Sequence, residues 1–591
     1  MGVRSVREPI AGPIQVSRLI QATRAAVLAV ALLASAARAD DASDVAPAAP
    51  LPLSGATESG APAFGEPILF PDSQPLPDRW RIKPPPYQKN VEGHWWDPYN
   101  QNILKGDYPI LGQDIFLRLT AATKVELEGR RVPTASGVST AEPGEFDFFG
   151  NGDGFVYDQK WALRTELFKG NTAFEPFAWQ IAIEGVVDLN DLDVAENGVV
   201  SPDPRDGTAR LTNDAALQEA SIEVHLANLS QRYDFISTKI GRQPFNSDFR
   251  SLMFFDTNQG ARLFGSLGGN RYQWNLIYFY QAEKDAFSLL NTFELRNQQV
   301  AIANLYVQDF LTLGWQNQFS VHFDYDDGVK QGLYFDRAGF LVRPDPVGAA
   351  TPHTVQAYYL GWTSEGHLGP LNVSHALYQA LGRDSLNPIA GQPIDVNAQM
   401  FFLELSIDRD WMRYQTSAFV TSGDDDPRDG SGNGFDTIFD MPRVMGGEFS
   451  YWNHQSIRIA DRGGVALTQQ DSLVPDLRSS KIDGQANFVN PGLFIFNLGA
   501  TAELTQKLRL IGNANYIRFI TTAPLEILLK QPNIRADVGF DLSLGAEYRP
   551  FLNNNIILKG FGAILQPIGG FKDIYQASTL WQVGTRAVLA F

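Results

Sequence analysis

The chain has no cysteine. That excludes a disulfide scaffold, a cysteine-ligated metal, covalent c-type haem attachment and a lipid anchor on an N-terminal Cys. It also lacks an uninterrupted apolar run of about 20 residues, the length a helical membrane span requires. The longest apolar stretch, Ala25 to Ala34, falls short of this, and a mean hydropathy of −0.18 is too polar for a helical membrane protein. Positive charge is scarce: 48 Lys and Arg stand against 66 Asp and Glu, a formal net charge of −18. That opposes nucleic-acid binding, which needs a basic face. Glycine-rich phosphate loops are missing, and none of His94, His225, His322, His353, His367, His375 and His454 stands in an H-x-x-x-H pair. His225 and His375 fall in strand-like segments with no nucleophile motif nearby, so the chain reads as a non-enzyme.

What is present begins with a targeting signal. Arg4, Arg7, Arg18 and Arg24 precede the apolar stretch, and Ala37-Arg38-Ala39 supplies a small-x-small cleavage site. Residues 1–39 therefore read as a secretory signal peptide. Cleavage removes five Arg and one Glu and leaves a mature chain near −22. A soluble periplasmic protein would carry the same signal. Residues 40–86 are dominated by Ala, Pro, Gly, Ser and Asp, the composition of a disordered periplasmic leader. Trp80 to Pro109, with Trp95-Trp96-Asp97-Pro98-Tyr99, is aromatic and turn-rich, and completes a leader and lead-in over 40–113.

From Asp114 the chain alternates. Ile115, Leu117, Leu119, Ala121, Val125 and Leu127 share one side of a strand; Arg118, Thr120, Lys124, Glu126 and Glu128 share the other. Trp179, Ile181, Ile183 and Val187 likewise oppose Gln180, Glu184 and Asp188. Period two is the mark of a half-buried strand, and a soluble sandwich would share it. Connection lengths add a second pattern: every other link is short. Strands are predicted near 115–128, 155–169, 175–189, 216–229, 232–243, 258–267, 271–282, 312–325, 332–343, 353–366, 369–381, 397–408, 411–422, 492–504, 507–519, 536–549, 555–566 and 579–591. The fold class is all-β, a transmembrane antiparallel barrel over 114–591 with about 18 strands, 16 being the alternative. Short turns and long outer loops alternate in such barrels, and both termini fall on the short-turn, periplasmic side.

The final strand, Leu580-Trp-Gln-Val-Gly-Thr-Arg-Ala-Val-Leu-Ala-Phe591, sets Trp581, Val583, Ala587, Leu589 and Phe591 on one face. A closing strand of this kind, ending in an aromatic, resembles that of Gram-negative outer-membrane β-barrels. The resemblance implies residence in the outer membrane among lipid and lipopolysaccharide, and insertion by the barrel-assembly machinery. It also implies passage of a hydrophilic solute without a cofactor.

Charged side chains on such a wall must face the lumen, since a basic residue on the lipid face costs about 2–4 kcal/mol at mid-depth. Candidate lumen residues are Arg118, Lys124, Glu126, Arg164, Glu184, Glu219, Glu223, Arg242, Arg250, Arg262, Glu404 and Arg413. They line an acid-rich pore that favours cations, or pair across strands and stiffen the wall. Ile240-Gly241-Arg242-Gln243, the polar link to Arg250, and Gly260-Ala261-Arg262 resemble the alginate-export type of porin-like barrel. That resemblance implies lumen contacts at Arg242, Arg250 and Arg262, although the acid excess departs from what a polyanion needs. The loop from Gly423 carries Asp424, Asp425, Asp426, Asp429 and Asp436, hard oxygen ligands of the kind calcium takes, without the EF-hand spacing. Segments 423–491 and 286–311 either fold into the barrel as a constriction or extend strands above the membrane; one of the two is expected to narrow the pore, and Val300 to Phe310 fits both the strand period and a short amphipathic helix. The leading expectation is a porin or export channel. The others are a barrel sheathing a periplasmic partner such as an electron carrier, and a barrel hydrolase.

Overall fold

A computed structural model describes residues 101–134, 150–170, 177–230, 234–348, 350–459, 464–552 and 554–591. The expected signal peptide and the leader up to residue 100 lie outside the described residues. Eighteen antiparallel strands form a closed barrel. They are β1 (Ile115–Arg131), β2 (Gly150–Lys169), β3 (Trp179–Glu196), β4 (Ala209–Asn228), β5 (Phe235–Asn246), β6 (Phe255–Leu267), β7 (Tyr272–Lys284), β8 (Asn291–Val307) and β9 (Gln316–Asp327). The second half comprises β10 (Thr354–Leu368), β11 (Leu371–Asn387), β12 (Gln392–Arg409), β13 (Met412–Thr421), β14 (Leu493–Glu503), β15 (Leu508–Phe519), β16 (Asp537–Tyr548), β17 (Ile556–Pro567) and β18 (Leu580–Ala590). Each pairs with its neighbour, and β1 meets β18 from Ala122↔Ala590 to Arg131↔Trp581. A lead-in strand, Lys105–Leu111, covers the lower edge of β1 beyond the reach of β18. There Lys105 sits over the ring of Phe591, 4.6 Å from its centroid.

The distribution of polarity is inverted relative to a water-soluble fold. On β3, Ile181, Ile183 and Val187 are exposed while Gln180, Asp188 and Asn190 are buried; on β10, Tyr358, Leu360 and Trp362 are exposed beside fully buried Ala357 and Tyr359. An apolar outer surface around a polar interior is what hydrocarbon outside and a hydrated lumen inside select. Among the described residues no helix is long and apolar enough to cross a membrane. One mouth carries only short links, 369–370 and 410–411 among them; the other carries 328–353 and 422–492.

The count of eighteen was expected, but through two compensating differences. Residues 332–343 form no wall strand; Tyr334–Phe335 and Leu341–Arg343 make a small hairpin within the 328–353 link. Residues 286–311 are neither a constriction nor a helix, because Asn291–Val307 is wall strand β8. Its inner residues Val300 and Ile302 are buried against chain that enters the lumen, so both faces are apolar and the alternation is lost.

Two links turn inward. The first, 247–254, buries Leu252, Met253 and Phe254, and Phe254 bridges to Phe439. The second, 422–492, joins one continuous core with inward wall residues; Tyr451, Trp452 and Phe488 are fully buried. At the level of the first link, β5 and β6 leave the ring: β4 pairs with β5 only from Ala220 onward, and β7 pairs with β6 only up to Tyr280.

Candidate functional site

The lumen is shaped by segment 447–455, which short-range chemistry pins to the wall. Ser450 caps a turn of helix, Tyr451–His454, by accepting from the Asn453 amide. Asp541 of β16 receives the backbone N–H of Tyr451 and Trp452 at 3.2 and 3.3 Å and the Ser450 hydroxyl. Phe449 lies against Gly545, where an added Cβ would meet its ring at 2.4 Å, so glycine makes room for the loop. The Tyr451 hydroxyl donates to the Arg131 carbonyl at 2.6 Å, and Gln582 donates to the Phe449 carbonyl at 3.1 Å.

His454 completes the attachment. Its Nε2 meets Glu128 of β1 at 2.7 Å, and Nδ1 faces Asp471 at 3.7 Å. Burial opposes the imidazolium, but the nearby Asp471 and Glu128 carboxylates, the latter hydrogen-bonded to Nε2, outweigh it and raise the pKa to about 10. Asp471 is correspondingly lowered: burial opposes its ionisation, and His454 overcomes it. Donor atoms of Glu126, Glu128 and His454 lie within 4.8 Å of one another, the one such group among the described residues. Arg586 and Lys124 already hold Glu126, at 2.6 and 2.9 Å, and a protonated imidazole has no free lone pair to ligate a metal. The group is an ion-pair latch between loop and wall.

Deeper in the same link, fully buried Arg478 bridges Asp436 at 2.7 Å and Asp476 at 3.7 Å. Burial, reinforced by Asp436, pushes Asp476 up to about 8. The expected calcium ligands are therefore dispersed. Asp436 is committed to Arg478, Asp424 is buried, and Asp425, Asp426 and Asp429 are exposed. No three of these carboxylates converge among the described residues.

Between loop and wall remains a polar cavity of about 880 Å³, bordered by Ser288–Leu290 near one mouth and Asp410 and Trp411 at the other. Eight Lys and Arg line it (Lys124, Lys160, Arg250, Arg413, Arg443, Arg509, Lys559 and Arg586) together with His454, and so do eight acids (Glu126, Asp158, Glu404, Asp408, Asp410, Glu448, Asp471 and Glu503). The expected acid excess is not found here. Most of these charges are paired: Arg413 with Asp408, Arg509 with Glu503, Lys160 with Asp158, and Lys559 and Arg586 with Glu448. Arg443, exposed on the loop, has no carboxylate within 4.0 Å among the described residues; it lies over the Phe255 ring.

A second cavity of about 340 Å³ adjoins the first, and Arg250, Glu404 and Arg413 border both. Arg250, at the tip of the 247–254 link, reaches Glu365 at 2.8 Å and Glu404 at 3.1 Å on the opposing wall. This bridge stands on the border shared by the two cavities.

Other sequence candidates form a ladder on the inner wall. Arg118 meets Glu166 at 2.5 Å; Arg164 joins Glu166 and Glu219, the latter at 2.8 Å; Lys239 meets Glu219 at 3.0 Å. Glu184 stands in register with Arg164, and Glu223 with Lys239. Arg242 and Arg262 border neither cavity. Arg242 is buried and donates to the Leu217 and Thr292 carbonyls at 2.6 and 2.8 Å, closing the wall where β5 turns inward. Arg262 donates to Asn275 at 2.8 Å and lies over the Phe264 ring. The hydrogen bonds of these two side chains are to the wall. Glu448, His454 and Gly545 were missed in the sequence; their roles depend on where a distant loop lands.

His225 lies between Asn228 at 2.9 Å and the Ser237 hydroxyl at 3.4 Å, an order reminiscent of a serine hydrolase. Ser237 is buried and borders neither lumen cavity, so no substrate reaches it by that route. His375 packs its ring against Trp362.

No family model matches the chain, and no curated protein matches it. Solved structures share its form. Pseudomonas aeruginosa OccK5 (OpdH) is 9% identical with a TM-score of 0.43, covering 80% of this chain and 98% of its own. Acinetobacter baumannii OccAB4 is 8% identical with a TM-score of 0.44, covering 81% and 98%. Pseudomonas aeruginosa OpdK, solved with vanillate, is 11% identical with a TM-score of 0.43, covering 80% and 98%.

Proposed function

We propose that the chain is an outer-membrane channel for small hydrophilic solutes, with its short-link mouth in the periplasm. The supporting observation is a polar cavity lined by charges of both signs inside a closed barrel whose outer face is apolar. The mechanism is diffusion. A solute leaves bulk water for a passage lined by fixed charges of both signs, which replace part of its hydration. It must then pass the Arg250–Glu404 bridge, where the tip of the 247–254 link meets the wall. With lining charges of the two signs nearly equal in number, selectivity between small ions is weak, and Arg250 sets its sign. A barrel that sheaths a protein partner fits less well, because much of the interior is filled by the chain's own 422–492 link.

Single-channel recording in planar bilayers tests the reading. Discrete conductance steps with a reversal potential near zero in a salt gradient are expected. A purified, correctly folded barrel that inserts and never conducts would overturn it.

A further inference from the structure

The outer face of the barrel carries a concavity of about 960 Å³ across β7 to β13. Its floor is apolar and exposed: Leu276, Leu305, Phe319, Leu360, Leu377 and Phe401. The inner faces of these same strands are tied to the inserted 247–254 link. Asn304 and Gln318 donate to the Ser247 carbonyl, and the Tyr378 hydroxyl donates to Asp248 at 3.2 Å.

Polarity along the groove is graded. Toward the long-link mouth the outward row of β11 runs Leu377, Gln379, Leu381, Arg383, and that of β12 runs Phe401, Gln399, Asn397, Asp395. Gln379 donates to Asn397 at 2.9 Å, and Gln399 donates to Gln379 at 3.1 Å and to Asn397 at 3.0 Å. The side-chain Oε1 of Gln399 and the side-chain Nδ2 of Asn397 have no hydrogen-bond partner among the described residues. Above them Arg383 stands 4.0 Å from Asp395, with side chains 70% and 87% exposed, so its guanidinium is open to another anion. Floor, amide lip and cation follow the order of tail, linkage and phosphate in an amphiphile.

We propose that this groove binds one acylated, phosphate-bearing glycolipid of the outer leaflet, its tail on the apolar floor and its amides and hydroxyls at Gln379, Asn397 and Gln399. The inference rests on the membrane orientation proposed above. The long-link mouth is the outer one, which selects a glycolipid of that leaflet over a phospholipid of the inner. Arg383 meets the phosphate, and Asp395 opposes it. In hydrocarbon, lone amide groups are poorly accommodated, so a lipid that hydrogen-bonds them gains over one that does not.

The test uses the full barrel in phosphatidylethanolamine nanodiscs, with lipid A as the added probe and retained lipid counted by native mass spectrometry. One lipid A per barrel is expected to survive washing. Leu377→Trp, which fills the floor, lowers retention about tenfold. Arg383→Gln lowers it, and Asp395→Asn raises it. Equal retention by wild type and Leu377→Trp would overturn the proposal, as would phosphatidylethanolamine held as firmly as lipid A, or indifference to both charge variants. Conductance of the same preparations is recorded separately. A silent barrel that holds lipid A refutes the channel reading alone; a conducting barrel without lipid A refutes the groove alone.

Discussion

Replacing His454 by Ala is expected to loosen the lumen loop without disturbing the barrel. The substitution leaves Glu128 buried at the wall, keeping Gln455 at 2.7 Å and Arg130 at 3.7 Å but losing the nearer cation, His454 at 2.7 Å. Breaking one side of a buried ion pair costs about 3–5 kcal/mol. The two remaining contacts place this case near the lower end. Three kcal/mol is roughly a hundredfold shift in the balance between docked and undocked segment. Single-channel traces read that balance as open-channel noise and step frequency, which should rise strongly. His454→Gln, keeping bulk and a hydrogen bond but not charge, should fall between. The latch also has a pH signature. His454 is raised from 6.5 to about 10, so its contribution is complete below about 6.5 and is lost as pH rises through 10. Asp471 is lowered from 3.8, so its contribution is present above that value and is lost as pH falls below it. Wild-type noise should therefore be lowest between about pH 4 and 6.5, climb as pH rises from 6.5 toward 10 and level off beyond, while His454→Ala is noisy throughout. Identical traces for wild type and His454→Ala at pH 7 would refute the latch.

Arg250→Ala should enlarge conductance and shift the reversal potential toward cations, because Glu365 and Glu404 lose their counter-charge; Glu404→Gln should shift it the other way. Arg242→Ala removes two charge-assisted hydrogen bonds to backbone, each worth about 1.5–3 kcal/mol, and should lower the temperature at which the folded form disappears in heat-modifiability gels while leaving ion preference unchanged. Gly545→Val intrudes on Phe449 and should raise open-channel noise as His454→Ala does, while keeping the wild-type alkaline rise because His454 is still present.

Strand positions were legible wherever the two sides of the wall meet different solvents. Ile115 to Leu127 shows this, with lipid on one side and an aqueous lumen on the other, and its predicted start is the observed one. Legibility failed where the inner side meets protein. Asn291–Val307 packs Val300 and Ile302 on the inserted chain and reads as a helix or loop; Leu333 to Val342 alternates locally yet closes only a small hairpin. The site divides in the same way. Charges that pair with adjacent strands, such as Arg164 with Glu219, follow from alternation alone. Arg250 reaches Glu404 across the lumen, and His454 reaches Glu128 from a link more than three hundred residues away in sequence. No periodicity encodes such meetings.

The departure of β5 and β6 from the ring has a geometric corollary. Near one rim the circumference is built from eighteen staves; near the other, two have folded away and their neighbours are held by side chains alone. The barrel is thus a tapered vessel with a sewn seam, whose stitches at Arg242 and at Asn291 with Gln218 replace hydrogen bonds a backbone would otherwise have made. Force or heat applied to such a wall should part it first along that seam.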